Sequence, residues 1–408
     1  MKIVVLGSGV TGVTTAYKLA KKGCQVTIID QFEQAGMGSS YGNGGQLSYG
    51  YKTPIANPKV LKQLPKILSG LDPAFRIYPS LDLDFYLWGL RFLAQCSPGK
   101  SQHSAKIMTI LGRHSQKCLM DIITQTGIEF DYRQQSGKLY VCQNETIMLD
   151  ADQDDRTVVW SKNELFDKIP ALKNNQSVVG GIYESSEDAA DCHKFCNELV
   201  RYSQDQHAVT VLNGHKIESL ERADSNIIGV QTDKGLVTAD AYVMAMGPHS
   251  AGFMKPLGVK LPIYPMKGFS VTVPATAMCP DVSITDTHTK TVYCRLGERL
   301  RIAGFAEFSG MSTQIKQKRI DRMLNNARKF LPEAGDYDTV LESWCGLRPA
   351  TPDSIPIVGE CAFENLYLNT GHGMLGWTHS AATADLLTNC ILQNPQPFDT
   401  DALLLSRF

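Results

Sequence analysis

The sequence predicts an α/β protein with a discontinuous parallel-sheet domain and a second, α+β domain built on an antiparallel sheet. Two observations predict this fold class. The chain opens with a strand, a glycine turn, a helix and a second strand, which is the repeating unit of a parallel sheet. Short alternating strands separated by turns recur in its second half, as in antiparallel sheets. The length of 408 residues exceeds what one compact core usually holds, so we expect two domains.

The first element is the βαβ unit at the amino terminus. Residues 3–6 and 26–29 are short apolar runs, each long enough for a buried strand. Between them, Gly7, Gly9 and Gly12 form a GxGxxG turn. In this motif the glycines permit a tight turn, the approach of a pyrophosphate and close packing of the helix on the strand. The following helix directs its free N–H groups at that pyrophosphate.

An acidic residue ends the second strand. Asp30 lies eighteen positions past Gly12 (30 − 12), close to the spacing of about 20 for an acid that binds a ribose hydroxyl. The unit therefore predicts a Rossmann-like dinucleotide site. The acid argues against NADP, while FAD and NAD both stay open from these residues. The residues expected to line this site are Val4, Gly7, Gly9, Val10, Thr11, Gly12, Asp30 and Gln31.

Charge and composition exclude several classes of protein. Hydrophobic residues make up 43% of the chain, as in ordinary globular proteins. The net charge is −1, so the chain lacks the excess of basic residues that would indicate a nucleic-acid partner. No apolar run approaches the length of a transmembrane helix. The 11 cysteines are scattered and no secretion signal is recognisable, which favours reduced thiols in a cytoplasmic protein. Cys192 and Cys196 lack a second pair of ligands, so we expect a helix there and no metal site.

A glycine-rich loop follows the second strand. Residues 36–51 read GMGSSYGNGGQLSYGY and include six glycines. Backbone N–H groups and short hydroxyls in such a loop can bind anionic or amide groups. Its aromatic residues favour packing over flexibility, so we expect the loop to fold back over the first glycine turn. The residues expected to contact the ligand are Ser39, Ser40, Asn43, Gly44, Gly45 and Gln46.

The opening fingerprint together with residues 39–46 resembles the FAD-dependent D-amino acid oxidase superfamily. Within that superfamily, the sequence is most similar to the family of small subunits of bacterial D-amino acid dehydrogenases. The resemblance recurs in pieces across nearly the whole chain. It implies that the cofactor is FAD, which resolves the choice that the fingerprint leaves open.

Residues 59–96 mix basic, apolar and aromatic side chains. Leucines and isoleucines recur at helical spacing among lysines, and an aromatic-rich run follows. One interpretation is a basic amphipathic patch at a membrane surface, and the other is a pair of helices packed on the second domain. Similarity to a respiratory-chain dehydrogenase family favours peripheral contact with the inner face of the cell membrane. It also implies a quinone or another respiratory-chain electron acceptor.

The chain then returns to the first domain. Residues 209–243 alternate in short strands and lead into Ala245 and Gly247, which resemble the second nucleotide-contacting strand of FAD proteins. Ile217 falls where the family places a backbone contact to adenine, with ordinary sheet as the alternative for both features. The discontinuous Rossmann-like FAD-binding domain would comprise residues 1–58, 187–262 and 343–408, and the substrate domain residues 59–186 and 263–342.

Residues 344–353, WCGLRPATPD, form the sharpest late motif. They resemble the G-[LV]-R-P of the superfamily, in which the arginine binds the substrate carboxylate and lies near the flavin. A guanidinium presents a planar pair of donors that matches a carboxylate. For Arg348 the alternative is a structural arginine paired with Asp353 or Glu342. On the predicted strands that would roof the cofactor, the residues expected to complete the pocket are Tyr264, Lys267 and Tyr293.

A second glycine turn lies near the carboxyl terminus. Residues 369–378, NTGHGMLGWT, follow a predicted strand and precede a helix, which again favours an anion site. The resemblance places this turn at the flavin. For His372, the alternatives are a general base or a residue that shapes the turn or contacts flavin, and we favour the second. The residues expected at the flavin are Gly371, His372, Gly373, Leu375, Gly376, Trp377 and Thr378.

These expectations combine into one reaction, the FAD-dependent oxidative deamination of D-amino acids to 2-oxo acids and ammonia. Hydride would leave Cα for flavin N5 while the lone pair of a neutral amine assists, so no protein base is required. Three alternatives stay open. They are an oxygen-using oxidase of glycine, sarcosine or a D-imino acid such as a hydroxyproline, an NAD-linked dehydrogenase, and a non-catalytic flavin-binding subunit.

Overall fold

The computed structural model describes residues 1–149 and 156–408, which form ten α-helices and four sheets. The helices are α1 (Val10–Lys21), α2 (Pro58–Leu68), α3 (Leu83–Gln95), α4 (Pro98–Thr126), α5 (Glu145–Leu149), α6 (Lys162–Lys168), α7 (Cys192–Gln206), α8 (Ser250–Met254), α9 (Gln317–Phe330) and α10 (Gly376–Ile391).

The strands follow in chain order. They are β1 (Lys2–Leu6), β2 (Gln25–Ile29), β3 (Gln46–Leu47), β4 (Phe75–Ile77), β5 (Lys138–Cys142), β6 (Thr157–Ser161), β7 (Gly180–Glu184), β8 (Asp188–Ala189), β9 (Val209–Leu212), β10 (Ile217–Ala223), β11 (Asn226–Thr232), β12 (Gly235–Val237), β13 (Ala241–Met244), β14 (Tyr264–Pro274), β15 (Ser283–Asp286), β16 (Thr291–Leu296), β17 (Arg299–Phe308), β18 (Glu342–Ala350), β19 (Ile357–Glu360) and β20 (Leu366–Thr370).

The parallel sheet has six strands in the order β19–β20–β13–β1–β2–β9, and only β19 runs antiparallel to its neighbour. Both of its faces are covered, which explains why residues 3–6 of β1 are all apolar. Ile3 and Val5 pack with α1 and α10, while Val4 and Leu6 pack with the three-stranded sheet β10–β11–β12. The carboxyl ends of β1, β13 and β20 therefore meet at one edge.

The larger sheet has nine strands, in the order β18–β14–β17–β16–β15–β5–β7–β6, with β4 beside β17. Its pairs are antiparallel except β15–β5 and β17–β4. The expected fold class, an α/β chain with a second antiparallel sheet, is thus confirmed. Two elements cross the expected domain boundaries. β18 pairs with β14 in the larger sheet, and α4 packs on α10 beside the parallel sheet.

The long strand β14 separates two environments. Because side chains alternate along a strand, Gly268 and Ser270 face one side, and Lys267 and Phe269 face the other. The second side packs against α9 in a buried apolar core. The first side meets the glycine-rich loop, because a Cβ on Gly42 would lie 2.6 Å from the Ser270 hydroxyl.

Helices α2 and α3 form in the region of residues 59–96, and α3 is packed on one side and exposed on the other. Trp88 and the half-buried Phe85 and Phe92 of α3 pack against the end of β14. The opposite side of α3 exposes Leu87 and Leu90, whose exposed fractions are 59% and 65%. Within the two described ranges, no helix combines the length and the apolar character needed to cross a membrane.

Candidate active site

The first glycine turn is closely packed at two of its three glycines. Gly7 has φ +101°, and a Cβ there would lie 2.8 Å from the carbonyl oxygen of Ala245. A Cβ on Gly12 would lie 1.9 Å from the carbonyl oxygen of Gly7. At Gly9 the nearest atom to such a Cβ is the Ser40 hydroxyl oxygen at 3.8 Å, so the protein itself leaves room there. This open position is what a closely approaching ligand requires.

Helix α1 begins beside that opening. Gly9 is its N-cap and provides no side-chain cap, while the N–H of Val10 donates to the Ser40 hydroxyl at 3.1 Å. The other N–H groups of the first turn, including that of Thr11, carry the positive end of the helix dipole. An uncapped helix start next to a glycine with free space fits a pyrophosphate.

Asp30 lies at the end of β2 as expected. Its carboxylate accepts hydrogen bonds from the N–H and hydroxyl of Ser8 at 2.6 and 2.8 Å. The neighbouring Gln31 is exposed. The N–H of His215 donates to the Asp30 carbonyl at 2.9 Å, which brings the start of β10 and Ile217 to the same edge. The expected contacts to ribose and adenine stay predictions.

The glycine-rich loop connects the first turn to the strand that carries Arg348. Ser40 accepts from Val10, and the Ser39 hydroxyl donates to the Leu347 carbonyl. Arg301 donates to the Tyr41 carbonyl at 3.0 Å. The loop also contacts the larger sheet, through its remaining expected ligand-binding residues Asn43, Gly44, Gly45 and Gln46.

The second glycine turn reaches the same edge of the parallel sheet. Asn369 donates to the Thr15 hydroxyl of α1 at 2.9 Å, which ties the end of β20 to the first turn. Gly371 and Gly373 have positive φ values of 78° and 53°. Helix α10 starts at Gly376 without a side-chain cap. The turn therefore offers a second uncapped helix start.

Three other predicted residues of this segment, Leu375, Trp377 and Thr378, lie around that helix start. The Thr378 hydroxyl accepts from the Ser48 N–H at 3.0 Å. Trp377 is buried, and within the described residues its indole N–H has no partner. Leu375 lines a small cavity together with His372 and Ala350. Between the turns, Gly247 has φ +54° and its carbonyl accepts from the Thr370 hydroxyl.

His372 is held in place by its surroundings. Its Nε2 lies 3.0 Å from the Thr383 hydroxyl, and its backbone pairs with Ala350. Burial lowers the pKa of His372 to about 3, with a further contribution from His379. A group with so low a pKa is neutral near pH 7 and is a weak base. These features favour a role in shaping the turn.

Arg348 has no carboxylate partner in the part of the chain that the structure describes. Asp353 pairs with Arg407 at 2.8 Å, and Glu342 pairs with Arg301 at 3.6 Å, so the acids of the structural alternative bind other arginines. Burial lowers the pKa of Arg348 to about 10. A half-buried guanidinium without an acid partner is well suited to bind an anionic ligand.

The three expected roof residues divide between the two sides of the larger sheet. Tyr264 pairs with Ala350, two positions from Arg348, and burial together with Asp82 raises its pKa to about 12. Lys267 instead donates to the Gln314 carbonyl at 2.6 Å, on the side of α9. The ring of Tyr293 stacks on that of Phe330 at 5.1 Å in the same core. Strand alternation thus separates the last two from Arg348.

Ligating groups also cluster away from these turns. Among the described residues, His114, Cys118 and Asp385 could share a metal ion. Lys18 lies 3.1 Å from the Asp385 carboxylate and His114 lies 3.0 Å from it. Although burial opposes it, these two groups hold the pKa of Asp385 at about 2. The carboxylate thus already has a cationic partner. Cys192 and Cys196 lie buried on α7.

A buried polar cluster behind the glycine-rich loop was missed from the sequence. Lys138 donates to the Ser48 hydroxyl at 2.9 Å, and Glu187 accepts from the Gly50 N–H at 2.8 Å. Glu187 is only 1% exposed, and burial raises its pKa to about 7. Burial also disfavours the charged form of Lys138 and therefore lowers its pKa. The cluster fixes residues 48–50, which adjoin α10.

Glu187 should make stability depend on pH. Its pKa rises from 4.5 to about 7 on folding, so the folded state binds the proton more tightly. We expect the free energy of unfolding to fall as the pH rises through this interval, by at most about 3 kcal/mol. Urea unfolding between pH 4.5 and 7.5 measures the slope. Glu187→Gln should flatten the dependence of the unfolding free energy on pH, whereas the control Glu218→Gln, at an exposed position, should not. Equal slopes in the wild-type protein and both variants would refute the role of Glu187.

Comparison with known proteins identifies the family. The model of the family described as "FAD dependent oxidoreductase" (DAO) matches residues 2–390. The chain belongs to this FAD-dependent oxidoreductase family. D-amino acid dehydrogenase of Paramagnetospirillum magneticum is 38% identical, over 100% of this chain and 99% of that protein. D-amino acid dehydrogenase 2 of Pseudomonas aeruginosa is 37% identical, over 99% and 98%.

Solved structures share the fold of this FAD-dependent oxidoreductase. Glycine oxidase from Geobacillus kaustophilus superposes with a TM-score of 0.73 at 18% identity, covering 100% of this chain and 98% of that one. L-proline dehydrogenase from P. horikoshii gives a TM-score of 0.75 at 17% identity, covering 100% and 97%. Membership of the family confirms the expected FAD cofactor and an oxidoreductase activity. The space at Gly9 and the two uncapped helix starts fit that cofactor.

Proposed function

We propose that this oxidoreductase carries out the FAD-dependent oxidative deamination of D-amino acids to 2-oxo acids and ammonia. The observation that carries the proposal is Arg348, a half-buried guanidinium without an acid partner in the described ranges. It lies on the strand to which the glycine-rich loop and the second glycine turn are both bonded. The names of the similar dehydrogenases support a D-amino acid as the substrate.

The proposed cofactor contacts follow the polypeptide around the edge of the parallel sheet. The turn from Gly7 to Gly12 and the start of α1 would hold the pyrophosphate, with Asp30 at a ribose. Residues 39–46 and 371–378 would hold the flavin. When bound, FAD supplies the two-electron acceptor for oxidation of the substrate Cα.

The protein's own contribution is to position the substrate and keep its surroundings dry. Arg348 would bind the carboxylate in one orientation and so fix the position of Cα. Tyr264 and Met266 of the adjoining strand β14 form an apolar cluster with Trp88 of α3, which would exclude water beside Arg348. His372 is too weak a base, and Tyr264 stays protonated, so the reactive amine would lose its proton to solvent before oxidation. The resulting imine would hydrolyse to the 2-oxo acid and ammonia.

Anaerobic mixing of the FAD-loaded protein with paired D- and L-amino acids tests this function. We expect D-amino acids to reduce the flavin, seen as loss of its visible absorbance, and the L-forms to reduce it slowly or not at all. A flavin that no amino acid reduces would indicate the non-catalytic alternative. We further propose a quinone or another respiratory-chain carrier as the electron acceptor. Peroxide formed in air at the rate of turnover would instead favour an oxidase.

We also propose that α2 and α3 attach the protein to the inner face of the cell membrane. Leu87 and Leu90 of α3 are exposed apolar side chains, and Arg91 follows them on the same helix. Helix α2 carries the further basic residues Lys62 and Lys66. A large apolar surface flanked by positive charge matches a bilayer with anionic headgroups.

Charge substitution on α3 tests this attachment. The double variant Leu87→Glu/Leu90→Glu should bind vesicles of phosphatidylglycerol and phosphatidylethanolamine at least about tenfold more weakly, because it removes apolar area and adds negative charge. Co-sedimentation measures the bound fraction. Leu236→Glu, at a similarly exposed position on β12, is the matched control and should bind as wild type does. Equal binding by all three proteins would exclude α3 as the docking element.

A further inference from the structure

We propose that Gly268 and Phe305 are positioning residues that hold the Arg348 guanidinium flat against β14. This inference deepens the proposed function and rests on it, because it concerns the group assigned to the substrate carboxylate. It adds two residues, neither of which is charged, to the determinants of carboxylate binding.

Gly268 provides the surface on which the guanidinium lies. A Cβ at this position would be 2.3 Å from Nη2, 2.4 Å from Cζ and 2.7 Å from Nη1 of Arg348. These are the three nearest atoms to it, so the guanidinium occupies the space of the missing side chain. Gly268 has no positive φ, so its backbone conformation alone does not demand glycine. The residue is therefore glycine because Arg348 lies over it.

Phe305 supplies the hydrogen-bond acceptor. Its carbonyl accepts from Nη1 of Arg348 at 2.8 Å. Phe305 has φ +61°, a conformation that is uncommon for a bulky residue, and it occurs where the β14–β17 register shifts. Such a bulge re-aims backbone groups beside functional sites. Here the bulge turns the carbonyl toward the guanidinium.

Helix α9 holds the bulge in place from the opposite side of the sheet. The Arg319 guanidinium of α9 lies 5.0 Å from the centre of the Phe305 ring and pairs with the buried Glu307. Phe305 therefore cannot shift without disturbing a cation–π contact and a buried ion pair. With one edge of the Arg348 guanidinium fixed by a carbonyl, its other N–H groups are presented to a ligand in one orientation.

The substitution Gly268→Ala tests this arrangement in the FAD-loaded protein. Propionate serves as a minimal carboxylate probe, and calorimetric titration gives its Kd. We expect Gly268→Ala to raise the Kd about tenfold or more at unchanged FAD content, because the guanidinium is displaced. Gly252→Ala is the control, since its Cβ would meet no atom within 4 Å. An unchanged Kd in Gly268→Ala would overturn the inference.

Testing Gly268→Ala a second time, in protein that also carries Arg348→Ala, keeps the test decisive if the single variant folds poorly. The Cβ of Gly268→Ala collides with Arg348 atoms, so Arg348→Ala should relieve that collision. We expect Gly268→Ala to lower the Tm in the wild-type background and to leave it unchanged in the Arg348→Ala background. An equal loss of Tm in both backgrounds, or a double variant that does not fold, would show that Gly268 acts through other atoms.

The two proposals can fail separately. Propionate binding that depends on both Arg348 and Gly268, in a protein whose flavin no amino acid reduces, would leave the positioning role intact and reject the deaminase. If D-amino acids reduce the flavin and Gly268→Ala leaves their KM unchanged, the deaminase proposal stands and the positioning role is rejected. No propionate binding in the wild-type protein would reject the carboxylate role of Arg348 and with it the positioning role.

Discussion

Replacing Arg348 with alanine is expected to lower kcat/KM for D-amino acids by about 10²–10³-fold while FAD stays bound. The substitution removes both charge pairing with the carboxylate and the planar donor pair that fixes Cα. Arg348→Lys keeps the charge without that geometry, so its kcat/KM should lie between those of alanine and wild type. Steady-state kinetics with an artificial acceptor measure all three proteins.

The control for this series is another arginine. Arg328 lies on α9 and forms an exposed ion pair with Asp338 at 2.6 Å. Along the chain it is distant from both glycine turns. Arg328→Ala should therefore leave kcat/KM within about twofold of wild type. Unchanged kinetics in Arg348→Ala would remove Arg348 from the substrate site, whereas loss of FAD would make it a cofactor residue.

Replacing Gly9 with valine is expected to abolish FAD binding while the fold is retained. The protein leaves space for a Cβ at this position, with the nearest atom at 3.8 Å, so the substitution should not disturb α1. A branched side chain would instead occupy the path of the pyrophosphate. Flavin absorbance after purification and far-UV circular dichroism measure cofactor content and fold.

Gly99→Val is the matched control for this substitution. Gly99 also lies at the start of a helix, and a Cβ there would meet no atom within 4 Å. This variant should purify with the FAD content of wild type. A yellow and active Gly9→Val protein would contradict the proposed approach of the pyrophosphate to the first turn.

The local parts of the structure could be predicted from the sequence. The βαβ unit is set by neighbouring residues, and α1 begins at Val10, directly after the second glycine of the turn, as the motif predicts. The second glycine turn likewise precedes a helix, which starts at Gly376. In both segments the glycines and apolar runs act within about 30 residues, so patterning is sufficient.

The non-local parts could not be predicted in the same way. Alternation along β14 separates Lys267 from Gly268, but only its pairing with β18 shows which side meets Arg348. Gly268 is an ordinary strand glycine until that pairing places a guanidinium over it. Glu187 gives no local signal either, since its burial results from contacts with residues 49–50, more than 130 positions away.

A crystal structure of the FAD-loaded protein with a bound 2-oxo acid tests the central claim most directly. We expect the pyrophosphate at the start of α1, the isoalloxazine ring beside residues 371–376, and the carboxylate on the Arg348 guanidinium. An isoalloxazine ring remote from that second turn, or a carboxylate bound away from Arg348, would contradict the account.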